Sequence, residues 1–154
     1  MNTTKSPWET GLELLKKADY TSAIQNFKSA LDSFYAQNNQ LGIASCLLAI
    51  GISFTALNKF DDAKAYFEKG LSIVSSISFK PGIASYLMNR GLLSQKMKKY
   101  AEALDDFNAS LTIFTEINES ESAANLRAFI NNCKEEQANQ GKSESNTFDA
   151  LRDD

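Results

Sequence analysis

The sequence predicts an all-α solenoid, built of three helix-turn-helix hairpins and closed by a C-terminal capping helix. Three observations predict it. First, residues recur at a spacing of forty: Gly11, Gly51 and Gly91, then Tyr20, Phe60 and Tyr100, Ala23, Ala63 and Ala103, Phe27, Phe67 and Phe107, and Leu31, Leu71 and Leu111. A fixed period in this range marks a stacked repeat. Second, apolar residues within each half-repeat follow three- and four-residue steps, as in Ala23, Ile24, Phe27, Leu31, Phe34 and Tyr35, which is one face of an α-helix. Third, short polar turns such as Asn58-Lys59-Phe60 interrupt that pattern at regular places.

Met1 to Lys5 is polar and reads as a flexible N-terminus. The repeat domain is expected over residues 6–140, with repeats at about 6–39, 40–79 and 80–118 and the capping helix at 119–140. Ser6-Pro7-Trp8-Glu9 is a helix start. Ser6 can cap, Pro7 suits the first helical position because it lacks an amide hydrogen, and Glu9 can complete a capping box. This helix should reach about Lys17, and Ala18-Asp19-Tyr20 should turn the chain into a helix that Asn38 and Asn39 break.

The second repeat copies the plan, with a first helix over about 40–57. Asp61 and Asp62 sit where acids favour the N-terminus of the next helix, which should end near Ser78. Pro81 opens the third repeat, whose helices should run to about Lys98 and from about Ala101 to Ile117. Asn118 should cap the seventh helix, with Glu121 three residues on, and Gly141 should end it. Residues 141–154 then read as a flexible polar and acidic tail. In that tail Phe148 and Leu151 stand three apart among acids, which is the spacing of a short helical docking motif. A solvated terminus is the alternative.

Glycine inside a helix costs about 1 kcal/mol relative to alanine, so three in register imply a packing reason. Small residues at Gly51, Gly91, Ala63 and Ala103 suit helices whose backbones approach closely, and Phe27, Phe67 and Phe107 should fill the space between one hairpin and the next. The seventh helix is far more polar than the others, with Asn125, Asn131, Asn132, Lys134, Glu135, Glu136 and Gln137, as a cap over the open end of a stack must be.

Composition narrows the function. The chain has 154 residues, 43% of them hydrophobic, and a net charge of −3 without a basic stripe, which argues against nucleic acid as a partner. No apolar run approaches the length needed to span a bilayer, so membrane insertion is not expected. Cys46 and Cys133 have no metal-like spacing and are expected as reduced core or half-buried thiols, which suits a cytoplasmic location. There is no histidine and no Gly-rich phosphate loop, so neither an enzyme nor a bound cofactor or metal is expected. The acid pairs Asp61/Asp62 and Asp105/Asp106 lie at helix starts, where the helix dipole accounts for them.

The recurring Gly, aromatic, Ala and Phe positions resemble the tetratricopeptide repeat over about residues 4–140. The common repeat is shorter, at 34 residues. The glycine-to-alanine distance is unchanged here, so the extra length should lie late in the second helix and early in the next first helix. The resemblance implies a right-handed superhelix and a protein-protein interaction module, acting as adaptor, scaffold or assembly factor, that takes a peptide or helix in its concave groove. Carrying the family's frame onto the first helices places Trp8, Leu12, Leu48, Ala49, Ile52, Met88, Asn89, Leu92, Lys96 and Phe129 in that groove, with Lys5, Lys16 and Glu136 near its edges. Members that dock the C-termini of Hsp70 or Hsp90 hold carboxylates with charged donors. At the matching positions stand Trp8, Leu12, Ala49, Ser85 and Asn89, so that use is not expected. The expected guest is a hydrophobic or amphipathic protein segment. Three alternatives stand beside it: these apolar residues are core, the groove is filled by the chain's own tail, or the apolar surface is buried in a homo-oligomer.

Overall fold

Three residues of backbone, repeated six times, set the architecture. In the computed structural model, which describes residues 4–150, the residues with positive φ are Ala18, Asn38, Asn58, Ser78, Lys98 and Asn118, spaced by twenty. Each follows a helix and precedes the next. The paired bonds are the same throughout: Asp19 N–H donates to the Leu14 carbonyl at 2.9 Å and Ala18 N–H to the Leu15 carbonyl at 3.0 Å, and the last junction repeats this with Glu119 to Phe114 and Asn118 to Thr115. This is the Schellman geometry, which satisfies the last carbonyls of a helix while reversing the chain.

The result is α1 (Pro7–Lys16), α2 (Tyr20–Ala36), α3 (Gln40–Ala56), α4 (Phe60–Ser76), α5 (Lys80–Lys96), α6 (Tyr100–Glu116) and α7 (Ser120–Ala150). The five central helices have 17 residues each. The forty-residue period is thus two equal halves, and both helices of the repeat carry the added length. Each helix packs on the next, α3 also meets α5, and there is no strand among the described residues, which makes the fold an all-α helical repeat solenoid.

Local signals account for most of these limits. Ser6 and Glu9 form the capping box, with Ser6 N–H donating to Glu9 Oε2 at 2.8 Å. Asp19 and Asn39 cap α2 and α3 by accepting from the amides of Ser22 and Gly42. Two expectations are corrected. Asn118 is not the cap of α7 but the left-handed residue before it (φ 61°), a conformation that Asn tolerates better than most residues. And α7 does not stop at Gly141. It continues to Ala150, because Gly141 keeps helical φ and so provides no reversal, while Gln140 and Glu144 bond one turn apart at 2.8 Å. The Phe148/Leu151 motif falls outside the residues whose side chains are described.

The glycines meet the phenylalanines of their own hairpins. A Cβ on Gly11, Gly51 or Gly91 would lie 2.6 Å from a ring carbon of Phe27, Phe67 or Phe107 respectively. The phenylalanines were expected between hairpins. They do touch the next hairpin, as Phe67 does edge-on with Tyr86 at 6.4 Å, but each is first seated on the glycine of its own first helix. The core accordingly forms three clusters, each joining a hairpin to its successor, as the stacking of repeats requires.

The central helix α3 shows the same logic. From Ser33 to Asn58 the sequence has no charged residue, and α3 is wrapped by α2, α4 and α5. A helix apolar on all sides must be buried. Among the described residues no helix is long and apolar enough to cross a membrane.

Candidate functional site

The first helices α3 and α5, with α7, line a cavity of about 700 Å³. Its apolar part is Ile52 from α3, Leu92 from α5 and Phe129 from α7, all half-buried. Phe129 is held in place by Phe107, whose ring centroid is 6.2 Å away. Thr55 and Ala56 continue the α3 wall, and the Thr55 hydroxyl is satisfied within its helix by the Gly51 carbonyl at 2.9 Å.

Polar groups occupy the side nearer the turns within hairpins. Gln95 Nε2 donates to Asn132 Oδ1 at 2.7 Å, tying α5 to α7 across the cavity. Asn89 donates from Nδ2 to the Ser85 carbonyl at 2.8 Å. Lys96, Lys98 and Glu136 also line the cavity. Burial, and then the Glu136 carboxylate, raise the Tyr100 phenol above its ordinary range, so it stays a neutral donor. An apolar floor with amides and charges at its margin suits an amphipathic guest.

The structure separates the residues expected to form one ladder. Ile52, Asn89, Leu92, Lys96 and Phe129 share this cavity. Ala49 does not: it is buried among Ala23, Ile24, Phe27 and Ile50, where the first hairpin meets α3. Trp8 and Leu12 pack on the same cluster, with the Trp8 ring 5.3 Å from Phe27. Met88 packs on the cluster around Ala84 and Phe107, and Leu48 lines a smaller recess elsewhere on α3 and α5. A periodic frame assigns the same role to equivalent positions, whereas the stagger of successive helices exposes one and buries another.

Sequence reasoning passed over Tyr20, Lys98 and Tyr100, which also line the cavity. Tyr20 and Tyr100 mark the repeat in the sequence, and their recurrence at the start of second helices is the available signal. Both cysteines are buried and free; burial pushes the Cys46 thiol up to about 12 and raises that of Cys133, which disfavours the thiolate form of each. No metal-binding group of side chains occurs among the described residues.

The family model of the tetratricopeptide repeat matches residues 44–73 and 84–115, which fall on α3 with α4 and on α5 with α6. Both stretches are similar to tetratricopeptide repeats. It is also similar to the uncharacterized protein ycf37 of Guillardia theta, at 30% identity over 101 residues, covering 66% of this chain and 53% of that protein. The chain therefore spans about half the length of the curated relative it matches. Tetratricopeptide repeats generally mediate protein-protein interaction.

Proposed function

We propose that this chain is a non-catalytic adaptor or assembly module that holds a hydrophobic or amphipathic segment of another protein against α3, α5 and α7. The observation that carries the reading is the cavity itself: Ile52, Leu92 and Phe129 leave apolar surface open inside a rim of Lys96, Lys98 and Glu136. Half-buried apolar side chains around an open volume lower the free energy when a guest covers them. A terminal carboxylate is a poor guest. Trp8, Leu12 and Ala49 lie in or on the core, and the Asn89 amide donates within its own helix. The proposal includes a reducing, cytoplasmic setting, in which the two buried thiols stay free.

The test is a native pull-down with the wild type beside a Leu92→Glu variant, after circular dichroism has established that the variant is helical and melts cooperatively. A protein kept by the wild type and lost by the folded variant supports the reading. Equal retention by both places the binding site off this face.

A further inference from the structure

The charges that line the cavity are unequal. Lys96 and Lys98 supply two cations and Glu136 one carboxylate, in a chain whose net charge is −3. Ion pairs among the described residues join Lys5 to Glu13, Lys64 to Glu68, Lys80 to Glu116, Arg90 to Asp106 and Lys99 to Glu102. None of them includes Lys96, Lys98 or Glu136. Both lysines are exposed, at the turn that leads from α5 into α6.

Lys98 also stands between two cavities. With Tyr100 it borders a second one of about 400 Å³, which Gln137, Gln140 and Glu144 line from α7. The other charges there are engaged: Lys99 meets Glu102 at 3.8 Å, and Glu144 accepts from Gln140 at 2.8 Å. Among the described residues Lys98 is thus the cation at this junction that no carboxylate meets. The pair is not a feature of the repeat. The equivalent places hold Lys16 with Ala18 in the first repeat and Ala56 with Asn58 in the second, so the third alone carries both cations.

We infer that the protein segment proposed above carries Asp or Glu beside its apolar side chains, an assignment that rests on that reading of the cavity. Lys96 and Lys98 receive the carboxylates, while Ile52, Leu92 and Phe129 cover the apolar part. Charge selects this guest. A basic one would meet two ammonium groups for a single carboxylate, and a neutral one would take water from both cations and return no partner. A cation against apolar walls also exerts a stronger field than one in open solvent, because the walls exclude part of the water.

Selection of random peptides of about twelve residues on the full chain tests this. The peptides are displayed on phage as N-terminal fusions, so that acids are offered as side chains and not as a free terminus. The wild type should enrich sequences in which Asp or Glu stands beside large apolar residues. The decisive variant, Lys96→Ala with Lys98→Asn, copies Ala56 and Asn58, and Asn tolerates the positive φ of 60° at that turn. It should bind the strongest selected peptide about 2- to 30-fold more weakly than the wild type does. That gap should close at about 1 M salt, where exposed charges are screened. Lys96→Ala alone, in the last turn of α5, carries the test if the pair does not fold. Apolar peptides enriched without acids, or equal binding by the folded variant, overturn the inference and leave the proposed function standing. No enrichment at all, or enrichment that survives Leu92→Glu, overturns the proposed function and the inference with it.

Discussion

Gly70 of α4 leaves empty the space that the phenol of Tyr86, from α5, occupies. A Cβ at Gly70 would stand 2.5 Å from Tyr86 Cε1 and closer still to the hydroxyl. From that position Tyr86 donates to the Ala44 carbonyl on α3, so one side chain links three helices. The next repeat solves the same junction differently. There Ser110 stands in the place of Gly70 and Leu126 in that of Tyr86, and the Ser110 hydroxyl donates to the Ala84 carbonyl at 2.7 Å. In each junction one hydroxyl meets the equivalent buried carbonyl, supplied from opposite sides of the contact.

Gly70→Ala should therefore destabilise the chain by about 1–3 kcal/mol, although the same change in an open helix would stabilise it. Urea unfolding reads the sign directly. Gly70→Ser combined with Tyr86→Leu, which reproduces the later junction, should recover most of the loss from either single change. Strictly additive losses would mean that the two residues do not share this space.

Ala18 holds a positive φ of 59° with a Cβ that this conformation disfavours. Ala18→Gly should raise stability by roughly 0.5–1 kcal/mol, the left-handed penalty less the entropy of glycine in the unfolded chain. Asn38→Gly, at a φ of 52°, should gain less, because Asn already tolerates the region. Thermal melts of the two variants make the comparison.

Arg90 grips Asp106 across α5 and α6 with two bonds of 2.7 Å, and this pairing raises the Arg90 pKa further. The equivalent positions in the second hairpin are Ile50 and Tyr66. Asp106→Ala should cost about 1–3 kcal/mol by leaving a half-buried guanidinium without its acceptor. Replacing both, Arg90→Ile with Asp106→Tyr, should cost less than the single change. Chemical denaturation of the three proteins decides.

The first helix should fray in acid. The Ser6 backbone bond, then the Ser6 hydroxyl, hold the Glu9 carboxyl below its ordinary value of 4.5. A depressed carboxylate stabilises the fold above that ordinary value and stops doing so as the pH falls through the lower folded value. Protection factors in α1, which remove the intrinsic pH dependence of amide exchange, should fall on acidification below 4.5, and Glu9→Gln should remove most of that decline.

Much of this architecture was legible in the residues, because its causes are local. The forty-residue spacing, the Ser6–Glu9 box and the polar junctions mark helices through interactions a few residues long. Two local readings went astray for a physical reason. Asn suits both an N-cap and a left-handed turn, so a cap expected at Asn118 lies one residue early. Glycine ends a helix only where φ turns positive, and at Gly141 it does not.

The chain's sequence by itself determined the repeat and the order of its helices, since periodicity and capping act along the chain. Only the tertiary structure decided which inward residues are core and which stay open. Ala49 and Ile52 are one helical turn apart on α3, yet Ala49 is covered by the first hairpin while Ile52 faces the cavity shared with Leu92 and Phe129. Burial is set by the stagger and curvature of neighbouring helices, and those follow from contacts such as Gly70 with Tyr86, whose partners lie on different helices.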